Sequence, residues 1–455
     1  MKRIKSALLL SAFAAAALFF ASCAPAPNSQ NNGNQGAVNT PANPVTLTFR
    51  LWDEQAQSAY VESLAAFEQE NPEIQVRVEL VSWANYWNQL PLDVAAGEAP
   101  DVYLMNSSNF ALLADEGRLV DVGATLGDNH DDWVPAASDI YTRDGTLWGV
   151  PQFWDSIALY YNKDLVSAAG VDPSNLTWNI GGDGDTLLPA LRKLTQDSAG
   201  NRADTADFME HNVAVYGMNA QADMQAIYLD FLAQAGANYQ DPQSGEFAFA
   251  SPEGEAAFRY LADLINVYHV APPASETNIN GDISRDMFMR GELALYQSGP
   301  YNLKTIADNV DFSWGITPMI AGPRGRISVV HAVAAVGNAQ SQHPQEVAKL
   351  LGWLGSARGQ APLAEQGVAF PAVATAGQGF VDYWAERGVN VQPFIEAATG
   401  EYSDGVPGGV TPPPRGRMIN SGAVAAEAVF KDILAGNMPG GLREAQEAGN
   451  IAMRE

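Results

Sequence analysis

From Val45 onward, short β-branched runs alternate with stretches whose apolar residues recur at helical spacing. The pattern predicts a strand over 45–51 and a helix over 55–70, with Tyr60, Leu64 and Phe67 on one helical face. Asp53 stands where a helix N-cap belongs, and Asn71-Pro72 ends the helix before a strand over 74–81. A helix over 87–96, stopped by Gly97, and a strand over 101–105 complete a βαβαβ order. That order predicts a sheet with helices on its faces and ligands received at the carboxyl ends of its strands. Further strands are expected over 157–161, 213–218, 292–297, 312–318 and 329–336. Helices are expected over 187–195, 227–234, 258–268, 344–354 and 423–435, and helical spacing returns over 442–453. No repeat of fixed period interrupts the alternation.

The N-terminal segment follows a different pattern. Lys2, Arg3 and Lys5 precede an uncharged apolar run over 7–20 and the small residues Ala21 and Ser22. This is the layout of a secretory signal over 1–22, and the run falls short of the ~20 residues a membrane-spanning helix needs. Phe20-Ala21-Ser22-Cys23 resembles the lipobox of bacterial lipoproteins, with Phe20 where Leu is usual. It implies that Cys23 is acylated and tethers the chain to a membrane surface without spanning it. Cys23 is also the sole cysteine, so no internal disulfide forms and stability rests on a large core. The uncharged Asn/Gly/Pro-rich stretch over 24–44 reads as a flexible tether.

About 410 residues then remain, enough for two or more lobes. The net charge of -27 repels phosphate backbones, which argues against nucleic acid as a partner. His-Glu-x-x-His, Cys-x-x-Cys and Gly-x-Ser-x-Gly are all absent, removing the readily recognised zinc and hydrolase readings. The run 197–207, DSAGNRADTAD, spaces oxygen ligands somewhat as a calcium loop does but lacks the EF-hand order and its closing Glu, so a solvated turn is expected. No metal and no cofactor is expected.

Longer phrases carry a resemblance. FEQENPEIQVRVELVSWANYWNQL, AAGEAPDVYLMNSSNFALLADEGRLVDV, LWGVPQFWDSIALYYNKDL, MFMRGELALYQSGPYNL and AEQGVAFPAV look like the carbohydrate-binding branch of the extracellular solute-binding proteins of ATP-driven importers. The resemblance runs from Val45 to the end. It implies an α/β, two-lobed, periplasmic-binding-protein-like fold with a ligand cleft between lobes joined by hinge crossovers. By this analogy 45–153 and 319–369 form the first lobe, 154–318 and 370–455 the second. The chain would cross near 153–156, 315–318 and 368–371.

A sugar offers hydroxyls that both donate and accept, together with a weakly apolar C–H face, so its sites pair carboxylates and amides with flat rings. The candidates with that chemistry are Trp52, Asp53, Gln55, Trp83, Asn106, Ser107, Trp154, Asp155, Asp223, Gly299, Tyr301, His331, Phe370 and Arg417. Asp53 doubles as a helix cap, and Trp83 could equally sit on the apolar face of the following helix. Asn106 and Ser107 also suit a plain turn, and His331 a satisfied core position. Asp155 poses the sharpest question, an acid at the mouth of the apolar run Ile157-Ala-Leu-Tyr-Tyr161. A place on a hinge strand would explain it. For Tyr301 the placement at the cleft is implied by the resemblance.

The expected role is that of an exported, lipid-anchored, monomeric carbohydrate receptor of the cell envelope. It would deliver ligand to the transmembrane subunits of an ABC permease and catalyse nothing. Two rivals share the chemistry: a secreted carbohydrate-processing enzyme, and a binding protein for a cation such as a polyamine.

Overall fold

The computed structural model describes residues 44–127, 129–437 and 440–454. The signal segment, Cys23 and the tether up to residue 43 lie outside the described residues. Two mixed sheets organise the fold. In the first, the strands Val45–Leu51, Ile74–Leu80 and Val102–Asn106 run parallel, and His331–Gly337 joins them antiparallel. Val150–Asp155 and the short edge Phe370–Pro371 complete it.

Strand alternation loads both faces of this sheet. Val102 and Leu104 join Phe49, Leu64 and Phe67 on one side. Tyr103 and Met105 join Tyr86, Ile140 and Tyr141 on the other. The central strands Val102–Asn106 and His331–Gly337 are buried on both faces and read as nearly continuous apolar runs, whereas Val45–Leu51 and Ile74–Leu80 alternate apolar with polar residues.

The second sheet orders Trp314–Thr317, Ala158–Asn162, Leu293–Ser298, Val213–Met218 and Gln196–Asp197. Ile157 and Leu159 pack against Trp178, Leu191 and Phe231, while Ala158 and Tyr160 pack against Phe288 and Phe394. The apolar run after Asp155 is therefore the anchor of the second lobe.

The chain passes between sheets at Ser156-Ile157, between the ends of Val150–Asp155 and Ala158–Asn162. Its return comes later than the expected 315–318. Met319, Ile320 and Val329 all belong to the second core, and Arg326–Val329 pairs with Gly408–Thr411, so the first sheet resumes only at His331. The cause is a buried charge. Arg326 donates to the carbonyls of Met319 and Ser174 and to Asp404 at 2.5 Å, which fixes 319–329 in the second lobe. The two crossovers are bonded together, since the Ile157 N–H donates to Ser328 Oγ at 2.9 Å.

Local differences from the periodicity are modest. The second helix starts at Trp83 rather than at 87, and the helix expected over 227–234 is Leu229–Ala235 preceded by a π turn, Met224–Tyr228. In the 197–207 run, Asp197 accepts the N–H groups of Ala199 and Asn201 at 2.9 Å and of Met209 at 3.0 Å. Its carboxylate staples the loop. No helix among the described residues is long and apolar enough to cross a membrane.

Candidate functional site

Asp155 closes the Val150–Asp155 strand at the crossover, opposite His331 in register, with Trp154 opposite Ala332. The register shifts between Val333 and Ala334, a bulge of the kind that re-aims side chains beside functional sites. Only 9% of Asp155 is exposed, and burial pushes its carboxyl up to about 8, partly offset by the Gln225 amide that donates to Oδ1 from the second lobe. At neutral pH the group is largely uncharged, so it can donate as well as accept a hydrogen bond. Beside it, burial lowers His331 to about 4 and keeps the imidazole neutral. His331 Nδ1 lies 3.3 Å from Ser107 Oγ, whereas Nε2 is buried with no hydrogen-bond partner among the described residues.

The opposing wall is built on Leu293–Ser298. Gly299 follows that strand, and a Cβ there would fall 2.2 Å from Tyr301 Cε1, so any larger residue would displace the ring. The Gly299 carbonyl accepts the Tyr160 hydroxyl at 2.7 Å, tying the turn to the hinge strand's continuation. Tyr301 is 41% exposed, yet its hydroxyl is surrounded by protein and is pushed well above the ordinary tyrosine range, burial first, with Asp223, Tyr296 and Asp155 adding to it. A side chain both accessible and surrounded lines a concavity. Asp223 caps the π turn, accepting the Ala226 N–H at 2.9 Å, and burial raises its carboxyl too.

At the end of Val45–Leu51, Trp52 meets Trp83 and Trp87 at 5.3 Å and Tyr86 at 5.0 Å. Tyr86 is buried with its hydroxyl on the Leu104 carbonyl, whereas Trp83 remains 52% exposed and free to stack on a partner. Asp53 caps the helix Glu54–Glu70, accepting Gln55 N–H at 2.8 Å and Ala56 N–H at 3.3 Å, and is itself raised by burial. Gln55 reaches Thr305 Oγ1 of the second lobe at 2.5 Å.

The structure thus gathers Asp155, His331, Ser107, Tyr301 and Asp223 at the floor, with Asp53 and the Trp52–Trp83 pair at a helix entrance. Three candidates play other parts. Phe370 is 3% exposed, stacked between Trp154 at 4.6 Å and Phe380 at 4.1 Å, so it backs the Trp154 ring. Arg417 is engaged across the lobes with Glu116 at 3.2 Å. Asn106 accepts from Asn109 at 2.7 Å, which is turn chemistry. Gln225, Thr305 and Glu116 escaped the sequence reading, because their partners are 70 to 301 residues away. A hollow of about 460 Å³ between Phe67, Asn71, Lys349 and Trp353 lies among the helices outside the first sheet and gathers none of these residues.

Residues 52–361 match the family model of the bacterial extracellular solute-binding proteins. The chain belongs to this family. The solute-binding protein is 44% identical to Mycobacterium tuberculosis UspC over 90% of its own length and 100% of that chain, with a TM-score of 0.72. At 20% identity it shares the fold of Lmo0181 from Listeria monocytogenes, solved with cycloalternan, over 90% and 98% of the two chains and with a TM-score of 0.76. It is 25% identical to the maltodextrin-binding protein MdxE of Bacillus subtilis over 60% of each chain. With the arabinooligosaccharide-binding protein of the same organism the match is 24% over 47% of that protein, so the chain spans about half to three fifths of these relatives.

Proposed function

We propose that the solute-binding protein captures a carbohydrate in the cleft between its lobes and hands it to the transmembrane subunits of an ABC permease, as a lipoprotein held by Cys23 at the cell envelope. The observation that carries this reading is the cleft floor. Asp155, from the opposite lobe, lies close enough to Tyr301 to help raise its hydroxyl, and Gln225 of Tyr301's own lobe donates to Asp155 Oδ1. A neutral carboxyl, an imidazole and tyrosine hydroxyls suit sugar hydroxyls, and the exposed Trp83 and Tyr301 rings suit its C–H faces. Ligand touching both lobes binds the closed form better, which shifts the population towards closure. Relatives named for maltodextrin and arabinooligosaccharide binding support the ligand class.

A cationic ligand is the second reading, favoured by the three cleft carboxylates Asp53, Asp155 and Asp223, which burial has raised and a cation would draw back to the charged form. Calorimetry across oligosaccharides, polyols and amines decides: saturable binding of an unchanged sugar is expected. Release of sugar products would establish the processing enzyme instead, and binding confined to amines the second reading. Trp154→Ala should weaken sugar binding at least about tenfold, because it removes a stacking surface. Cys23→Ser should move the protein from the membrane fraction to the soluble one, as read by fractionation.

A further inference from the structure

The helix preceding the second-lobe core opens as a single π turn. Within Met224–Tyr228 the Tyr228 N–H donates to the Asp223 carbonyl at 2.9 Å, an i→i+5 bond. Such turns are rare and recur at functional sites. This one is held rigidly from behind. The Gln297 side chain donates to the Ala226 carbonyl at 2.7 Å, and Gln297 is itself fixed by Asn219 through bonds of 2.8 and 3.0 Å. Residues 226–228 are buried, whereas 223–225 are half-buried. From that front the Gln225 amide crosses the floor to Asp155 Oδ1. Among the described residues, Asp155 Oδ2 has no hydrogen-bond partner.

An amide donor on one oxygen fixes the plane of a carboxyl and decides which oxygen is left over. Resting on the reading of the cleft as a ligand site, we propose that Gln225 is a positioning residue for recognition: by occupying Oδ1 it presents Asp155 Oδ2 to a ligand hydroxyl. The π turn carries the amide that does so. Asp155 also faces His331 from the neighbouring strand, Tyr141 beneath it, and Tyr301 from the second lobe, with Asp223 on the far side of Tyr301. The imidazole is lowered and both tyrosines are raised, so between about pH 6 and about pH 9 the carboxyls alone titrate.

The test compares Gln225→Met, which keeps length without a donor, with Gln225→Glu, whose carboxyl matches the amide in shape only when protonated. Two quantities are read: the Asp155 side-chain ¹³C titration, repeated on an Asp223→Asn background, and affinity for whichever of maltose, maltotriose and mannobiose the parent binds tightest. Loss of the donor should raise the Asp155 titration midpoint and weaken binding about tenfold in Gln225→Met. Gln225→Glu should bind more weakly still at high pH and recover as pH falls. An unmoved titration or parent-like affinity in Gln225→Met overturns the proposal. So does a Gln225→Glu variant equally weak at every pH, since a merely structural tie has no reason to be rescued by protonation. If the parent binds none of the three sugars, the carbohydrate reading is left to the wider calorimetry, and the Asp155 titration in Gln225→Met alone decides whether Gln225 positions that carboxyl.

Discussion

Asp155 shows how one residue answers to two environments. Its backbone belongs to an apolar strand, and its carboxyl lies where the strand leaves one lobe for the other. The cost of burial appears as a carboxyl raised from 3.8 to about 8. Between those values the folded protein holds a proton that the unfolded chain has lost. Asp155 therefore contributes stability fully present below about pH 4 and lost as pH rises towards about 8. Asp155→Asn should flatten this part of the stability curve, measured as denaturant midpoint against pH, while weakening ligand binding. A slope unchanged in the variant would place its origin in another carboxyl. None of this shift is visible in the sequence, where the neighbouring Trp154 and Ser156 give no sign of how deep the group lies.

At the scale of elements, periodicity and punctuation carried most of the information. Asp53, Asn71-Pro72 and Gly97 mark helix ends because their side chains or backbone freedom meet local demands, and local demands are written locally. The turn at Gly299 belongs to the same class. Gly299→Ala should cost about 1–3 kcal/mol of stability in chemical denaturation and reduce affinity, because the Tyr301 ring must move to admit the Cβ. Elements shaped by distant partners escaped the reading. The π turn at Met224–Tyr228 has the composition of an ordinary helix, and its shape depends on Gln297 and Asn219 behind it. The strand Arg326–Val329 likewise has no counterpart among the expected elements before residue 329, since its partner is the distant Gly408–Thr411.

At the scale of the whole molecule, the lobes meet through a small set of polar pairs at floor and rim: Asp155 with Gln225, Gln55 with Thr305, and Glu116 with Arg417. The rim ion pair is half exposed and therefore screened. Glu116→Gln should change global stability by less than about 1 kcal/mol yet shift the unliganded protein towards a more open, salt-insensitive form in small-angle scattering. A scattering profile identical to the parent's at low salt would show that the pair does not bias closure. The family resemblance placed the first crossover; the sequence by itself determined the alternation of elements and the aromatic and acidic residues at the strand ends. These depend on side-chain period and on residues adjacent in the chain. Tertiary structure alone decided that Phe370 supports Trp154, that Arg417 spans the lobes, that the return crossover waits until Val330, and that Gln225 meets Asp155. Each of those is a pairing between residues far apart in sequence, and its energy exists only once the two lobes have brought the partners together.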